Sequence, residues 1–318
     1  MAQLAGLWRR TPPAIFPPIF GLFGLGLAWR AGAPLFGLPA GVAEMILGAV
    51  TLLYLFALVA WLAKPLRRPS AVLDELRVLP GRAGLASMSL SLMLLAAVLG
   101  PYSAGLASVV ALTALGLHLL LAGLLVRVML SGPPEGRVVT PVWHVSFVGF
   151  ILFPFAALPL GFAALGQGIA ILMMPFAGFV WLVSGWQLAT RVPPAPLRPL
   201  LAIHLAPASV LAVVWAMLGA PVIAAVFAAL AAAILLALVV MARWVMAAGF
   251  SPLWGAFTFP LAAFAAALLA VSDWAPWLRV PAGLALVGAT LVIPPIAVAV
   301  LRQWARGGLA AKTNAAQV

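Results

Sequence analysis

The chain has 318 residues, of which 66% are hydrophobic and only 7% are charged. In a water-soluble domain, charged residues make up roughly a quarter of the chain, because the surface has to be hydrated. This composition excludes a soluble enzyme, a disordered protein and an ordinary nucleic-acid-binding protein. It predicts an all-α polytopic membrane protein, since a helix satisfies its own backbone hydrogen bonds inside the bilayer.

Ten apolar segments are long enough to cross a bilayer, which takes about 20 residues in a helix. Charges, Pro-Gly clusters and short polar turns separate these segments. The segments leave no stretch for a soluble domain, so we expect a single transmembrane domain over residues 1–318. In chain order the predicted spans are 12–32, 37–63, 83–100, 104–130, 142–162, 165–189, 199–219, 221–246, 252–271 and 280–303.

The basic residues divide unequally between the two sides that ten spans define. The chain has 17 basic and 5 acidic residues, a net charge of +12. Of the basic residues, only Arg30 and Arg279 fall on one side, and the other fifteen fall on the side of both termini. Because basic residues concentrate on the cytoplasmic side of membrane proteins, both termini are predicted to be cytoplasmic. We expect a multi-pass protein of the cell inner (plasma) membrane.

The loops differ in length as well as in charge. Loops after odd-numbered spans are mostly tight and uncharged, whereas those after even-numbered spans are longer and basic. Each odd-numbered span should therefore form an antiparallel hairpin with the next one. The chain is predicted to use this two-helix unit five times.

Ionisable residues within spans are the first candidates for a functional site. Glu44 lies near the outer end of the second span, where an interfacial carboxylate beside Arg30 is expected. A proton site facing a pore is the alternative. His118, His144 and His204 lie in three spans, and each is expected to hydrogen-bond to a neighbouring helix, with His118 towards lipid or an adjacent subunit. The alternative is a proton relay or haem ligation.

The spans lack the motifs of membrane enzymes. They contain no carboxylate cluster for Mg²⁺, no His/Glu metalloprotease motif and no Gly-x-Ser-x-Gly motif, and the chain has no cysteine. We therefore expect no enzymatic activity, no metal and no cofactor. Ion-coupled carriers usually place carboxylates at the membrane midplane, and these spans have none at that depth. A transport pathway would therefore be lined by neutral groups.

Prolines occur in several odd-numbered spans. Pro18, Pro154, Pro207 and Pro260 lie in the first, fifth, seventh and ninth spans. A proline inside a helix removes one backbone hydrogen bond and kinks the helix. Kinks widen a bundle and free carbonyls to line a cavity, so these spans are predicted to surround one. The alternative is that proline is simply common in membrane helices.

Several stretches resemble the tellurite-resistance/dicarboxylate transporter family, the bacterial relatives of plant slow-type anion channels. The run LWGAFTFPLA at 253–262 resembles an aromatic-Ser/Thr-Phe-Pro pattern in the family's ninth span. Residues 197–210 resemble the start of its seventh span, and residues 75–82 resemble the entry to its third. Residues 19–29 and 144–149 resemble parts of its first and fifth spans. The stretches follow the family's order over most of the chain.

The resemblance implies five helical hairpins around a quasi-fivefold central pore, in a homotrimer with one pore per subunit. Odd-numbered spans would line the pore and even-numbered spans would form an outer ring. By its place in the motif, Phe259 would be the side chain that plugs the pore, directly before Pro260. This chain departs from the family at 262–265, where Ala-Ala-Phe-Ala replaces small polar residues.

The sequence therefore predicts an anion channel-like protein that passes small monovalent anions through a neutral pore gated by Phe259. Its partners would be small inorganic or organic anions and the lipid bilayer, and no nucleic acid. A proton-coupled or exchange carrier of C4-dicarboxylates or tellurite is the alternative, with His144 or Glu44 as the proton site. A membrane haem or redox protein built on the histidines is the alternative from another class.

Overall fold

The computed structural model describes residues 8–316. In this part of the chain all regular structure is helical, and nine helices are long and apolar enough to cross a bilayer. A further apolar segment is shorter, and we number it α5. The segments are α1 (Pro13–Leu35), α2 (Gly41–Arg67), α3 (Leu79–Leu99), α4 (Ala104–Ser131), α5 (His144–Ala157), α6 (Ala163–Thr190), α7 (Ala195–Met217), α8 (Pro221–Val240), α9 (Pro252–Val271) and α10 (Pro276–Ala305).

All ten segments lie within a few residues of the predicted spans, but α5 differs in form. Its first five residues, His144–Val148, make a π-helix, followed by a 3₁₀-helix at Gly149–Leu152. Only Phe153–Ala157 is α-helical. The α-helix starts here because Pro154 has no N–H to continue a helix from the preceding turn.

The odd-numbered helices are buried and the even-numbered helices are exposed. In their most apolar stretches, 67% of α1 and α9, 72% of α7 and 83% of α3 is buried. The corresponding share in the five even-numbered helices is 17–33%. Large apolar side chains such as Leu52, Leu119 and Leu291 are exposed on these outer helices. A face of this kind suits contact with lipid tails rather than water.

Contacts between helices follow the same division. Each even-numbered helix packs against the odd-numbered helix before it, as the hairpin prediction requires. Among the buried helices, α1 packs against α3 and α9, α7 packs against α9, and α5 packs against α3 and α7. Each odd-numbered segment therefore has two odd-numbered neighbours, and the space between them is bounded by these five segments.

Three of the four predicted proline kinks are helix starts instead. Pro260 does lie inside an α-helix, Gly255–Val271. A proline in a first turn breaks no helical hydrogen bond, because the first N–H groups of a helix have no partner within it. Pro18, Pro154 and Pro207 are second or third in the α-helical stretches Phe16–Leu35, Phe153–Ala157 and Leu205–Met217.

A buried ion pair lies at the end of the bundle where α2 ends and α3 begins, which we call the basic end. Lys64 Nζ donates hydrogen bonds to Glu75 Oε1 at 2.5 Å and to the carbonyl of Ala316 at 2.8 Å. The backbone N–H of Ala316 donates to the same carboxylate at 3.1 Å. Burial raises the pKa of Glu75, and the ammonium of Lys64 opposes that rise. The C-terminal tail is thereby fixed beside the loop that follows α2.

A second ion pair lies at the opposite end of the bundle. Arg30 donates to Glu44 through two nitrogens, at 2.7 and 2.6 Å, and also to the carbonyls of Ala97 and Val98. Tyr102 donates to Glu44 Oε2 at 2.6 Å, and this bond raises the pKa of Tyr102. The cluster joins the end of α1 to α2 and α3, and Glu44 lies beside Arg30 as expected.

Candidate functional site

Two cavities lie between the odd-numbered helices, one on each side of Phe259. Their volumes are about 70 Å³ towards the basic end and about 20 Å³ towards the opposite end. Apart from Thr313 of the C-terminal tail, all their described lining residues belong to odd-numbered segments. One water needs roughly 10–15 Å³ of such space, so the larger cavity has room for several waters and the smaller for one.

Phe259 separates the two cavities. It is 6% exposed, and among the described lining residues only Phe259 and Val210 border both cavities. Its ring stacks on that of Phe20 in α1, with centroids 3.8 Å apart and planes 17° apart. A Cβ added at Gly24 would lie 2.9 Å from Phe259 Cδ2. The ring therefore uses space that glycine leaves open on α1.

A hydroxyl group holds α9 in register with α1. Thr258 Oγ1 is 2.7 Å from the carbonyl of Gly255 and 3.1 Å from that of Pro17, and it donates towards both. Gly21 faces Thr258, where a Cβ would clash. Because Gly21 and Gly24 are three residues apart, they share one face of α1. Thr258 and this glycine face together fix the position of the Phe259 ring.

Three polar residues, Ser87, His144 and Thr313, are among those that line the larger cavity. His144 Nε2 lies 3.0 Å from His204 Nδ1 of α7, and the Nδ1 of His144 is buried without a described partner. The indole of Trp181 donates to the carbonyl of His204 at 3.1 Å. The structure thus places the predicted polar residue His144 in the cavity wall and joins it to a neighbouring helix, as expected.

No charged side chain of the described residues lines either cavity. Glu44, the other candidate proton site, borders neither of them and is held by Arg30 at the opposite end. Of the predicted pore prolines, Pro207 and Pro260 line the larger cavity, while Pro18 and Pro154 line neither. The walls are neutral, as the scarcity of charge in the spans predicts.

The expectation that His118 faces lipid or an adjacent subunit is wrong. His118 is fully buried, with Nδ1 2.8 Å from Ser89 Oγ of α3 and its ring edge-on to Phe150 at 4.5 Å. A buried imidazole needs a hydrogen-bond partner, and Ser89 supplies it. The bond to a neighbouring helix is confirmed, but the direction is inward. Within the described residues the three histidines form no single cluster.

Phe20 and Val210 are site residues that the sequence did not single out. Phe20 reaches Phe259 only because α1 and α9 pack closely. The paired glycines of α1 are the one sequence signal of such close packing, since small residues let membrane helices approach. No comparable signal marks Val210.

A comparison with protein families identifies the chain's relatives. The family described as voltage-dependent anion channel (SLAC1) matches residues 10–301, a stretch that runs from before α1 almost to the end of α10. The chain belongs to this family. No curated protein matches it. The resemblance read from the sequence is confirmed, and the chain is a multi-span membrane protein of an anion channel and transport family.

Proposed function

We propose that the protein is a channel-like anion transporter whose pathway runs through the two cavities and is closed by Phe259. One observation carries this proposal: a single ring divides two cavities that lie between the buried helices of an anion channel family member. Anions would approach from the basic end, where the positive charge concentrates them. Displacement of the ring would join the cavities into one passage.

The proposed architecture is ten spanning segments arranged as five hairpins around a quasi-fivefold axis. The neighbour pattern of the odd-numbered segments and their burial support it. The irregular α5 counts as a span because it is surrounded by other helices, where non-helical backbone is tolerated at membrane depth. Its 3₁₀ part also rises about 2 Å per residue, more than an α-helix. A homotrimer is proposed on the family resemblance alone.

The proposed orientation places the basic end in the cytoplasm and the protein in the cell inner membrane. It is supported by the segregation of fifteen basic residues from Arg30 and Arg279. Tags at the N-terminus, near Ser70, near Glu135 and at the C-terminus should all be protected from an impermeant reagent added outside intact cells. Labelling of any one of the four from outside would contradict the orientation.

Small monovalent anions are the proposed substrates. Without charged ligands in the walls, the free energy of removing water from the anion governs which anion passes. Nitrate should therefore permeate at least as well as chloride, whereas malate and tellurite should be slower. Proteoliposomes containing the purified protein, loaded with each anion in turn, would measure these rates. A strong preference for malate over nitrate would overturn the proposal.

A proton-coupled or exchange carrier of dicarboxylates or tellurite is the second candidate function. The observation that favours it is His144, which lines the larger cavity and contacts the buried His204 of α7 behind it. If His144 takes up a proton during transport, flux should depend steeply on pH and lose that dependence in His144→Gln. A passive channel should show the same selectivity at two pH values. The same liposomes therefore separate the two functions.

A further inference from the structure

We propose that Phe20 is a second gating ring, a positioning residue that holds Phe259 across the passage. The inference rests on the proposed function, because it assigns a role to a residue of the same pathway. Phe20 lies in α1 and Phe259 in α9, so the closed passage would depend on both helices. The gate is then a pair of stacked rings rather than one side chain.

The position of Phe20 differs from that of an ordinary core phenylalanine. It is 5% exposed and borders the larger cavity but not the smaller one. Its ring therefore contacts Phe259 beside the larger cavity. Movement of the Phe259 ring out of its position breaks its stack on Phe20.

The geometry of the stack on Phe259 also distinguishes Phe20 from an ordinary core phenylalanine. Aromatic pairs prefer offset or edge-to-face arrangements with centroids about 4.5–7 Å apart. The rings of Phe20 and Phe259 lie nearly parallel at 3.8 Å. The close parallel stack is therefore maintained by the packing of α1 on α9 more than by the attraction between the rings. A shift of either helix would separate the rings and release Phe259.

Phe23 provides a matched control within α1. It is fully buried and packs edge-to-face on Tyr54 of α2, with centroids 5.7 Å apart. It borders neither cavity. Phe20 and Phe23 thus share residue type, helix and burial, but Phe20 stacks on Phe259 and lines a cavity, whereas Phe23 packs on Tyr54.

The experiment measures nitrate and chloride flux in proteoliposomes for Phe20→Ala, Phe23→Ala, Phe259→Ala and the double variant Phe20→Ala/Phe259→Ala. Phe20→Ala should raise flux severalfold, because Phe259 loses the ring on which it stacks. The double variant should conduct more than either single variant, because a ring left at residue 20 still narrows the passage. Phe23→Ala should leave flux unchanged and lower the melting temperature.

Two further variants separate gating from folding. Phe20→Tyr retains the ring and should keep flux low. Phe20→Leu retains apolar bulk for folding but removes the stacked face, so it should raise flux even if Phe20→Ala assembles poorly. In Phe20→Ala and Phe20→Leu the permeability of large anions relative to chloride should rise. Loss of packing alone does not change that ratio.

The outcomes distinguish this inference from the function on which it rests. If Phe259→Ala raises flux while Phe20→Ala and Phe20→Leu behave like Phe23→Ala, Phe20 has no gating role and the single-ring gate remains. If neither Phe259→Ala nor the double variant raises flux, the phenylalanine gate itself is wrong. If flux rises in Phe20→Leu and not in Phe20→Tyr, the two-ring gate is supported.

Discussion

The two sides of Phe259 differ in size and in chemistry. Towards the basic end, the cavity of about 70 Å³ has three polar residues in its lining, Ser87, Thr313 and His144. Towards the opposite end, the described residues that line the cavity of about 20 Å³ are all glycine, alanine, leucine, valine or phenylalanine. An anion therefore has room to keep part of its water on one side of the ring, and on the other side none of the described lining residues is polar.

This difference locates the energetic barrier of the proposed pathway. A polar group moved into an apolar space loses hydrogen bonds that nothing replaces, and an ion loses more. The barrier should therefore comprise the ring of Phe259 and the apolar stretch beyond it, formed by residues such as Ala263 and Ala266. The larger cavity should contribute little. The following variants test this asymmetry, from the largest expected effect to the smallest.

The largest effect is expected from removing the ring that separates the cavities. Phe259→Ala should fold normally and conduct anions far better than the wild type. Truncation of a phenylalanine in a packed core destabilises a protein by about 3–5 kcal/mol. Phe259 has cavities on two sides, so the loss of stability should be smaller. Anion flux and the melting temperature of the same preparation would measure both effects.

Phe257 is the control for that variant in the same helix. It packs edge-to-face on Trp254, with centroids 5.7 Å apart, and borders neither cavity. Phe257→Ala should therefore lower stability and leave flux unchanged. If Phe257→Ala opens the pathway and Phe259→Ala only destabilises, the register of α9 assumed for the gate is wrong.

The span positions were predictable because long apolar runs and short polar breaks determine them. The internal structure of α5 was not, because its π and 3₁₀ turns depend on packing against other helices. Gly149 lies between Leu90 and His118, where an added Cβ would come within 2.8 Å and 3.2 Å of their side chains. No local pattern in the sequence reports such contacts. For the same reason, the sequence did not show that Pro18, Pro154 and Pro207 lie in the first turns of α-helical stretches rather than at kinks.

The candidate site was predictable in part. Phe259 was found through a family motif, and the structure places it between two cavities. The inward direction of His118 was missed because α4 is apolar on all sides, so its sequence does not reveal which face meets Ser89. The stack on Phe20 depends on residues 239 positions apart in the chain. Only the fold brings such residues together.

A smaller effect is expected from filling the small apolar cavity on the far side of Phe259 from the basic end. Ala263 borders the small cavity, whereas Ala256 borders the large one. In a Phe259→Ala background that already conducts, Ala263→Leu should fill a space for one water and reduce flux severalfold. Overpacking of this kind also destabilises a protein by about 1–3 kcal/mol. Ala256→Leu should reduce flux much less, and flux measured in proteoliposomes would compare the two.

An equal reduction of flux by Ala263→Leu and Ala256→Leu would contradict the proposed energetic difference between the two sides of Phe259. It would mean that the pathway is limited by width alone and that the polar groups of the larger cavity do not ease dehydration. A stronger effect of Ala256→Leu would place the barrier on the basic side of the ring, contrary to the volumes of the two cavities.

The smallest effect is expected at the ion pair beyond the small cavity. Glu44→Gln removes the charge that faces Arg30 but keeps an amide that hydrogen-bonds to Arg30 and Tyr102. The side chains of Arg30 and Glu44 are 22% and 35% exposed, and pairs of this exposure contribute about 0–1 kcal/mol. The carbonyls of Ala97 and Val98 still accept from Arg30. The melting temperature should therefore fall only slightly. Because Glu44 borders neither cavity, the flux and its pH dependence should not change in Glu44→Gln. If this variant abolished a pH dependence of flux, Glu44 would be the proton site of a carrier.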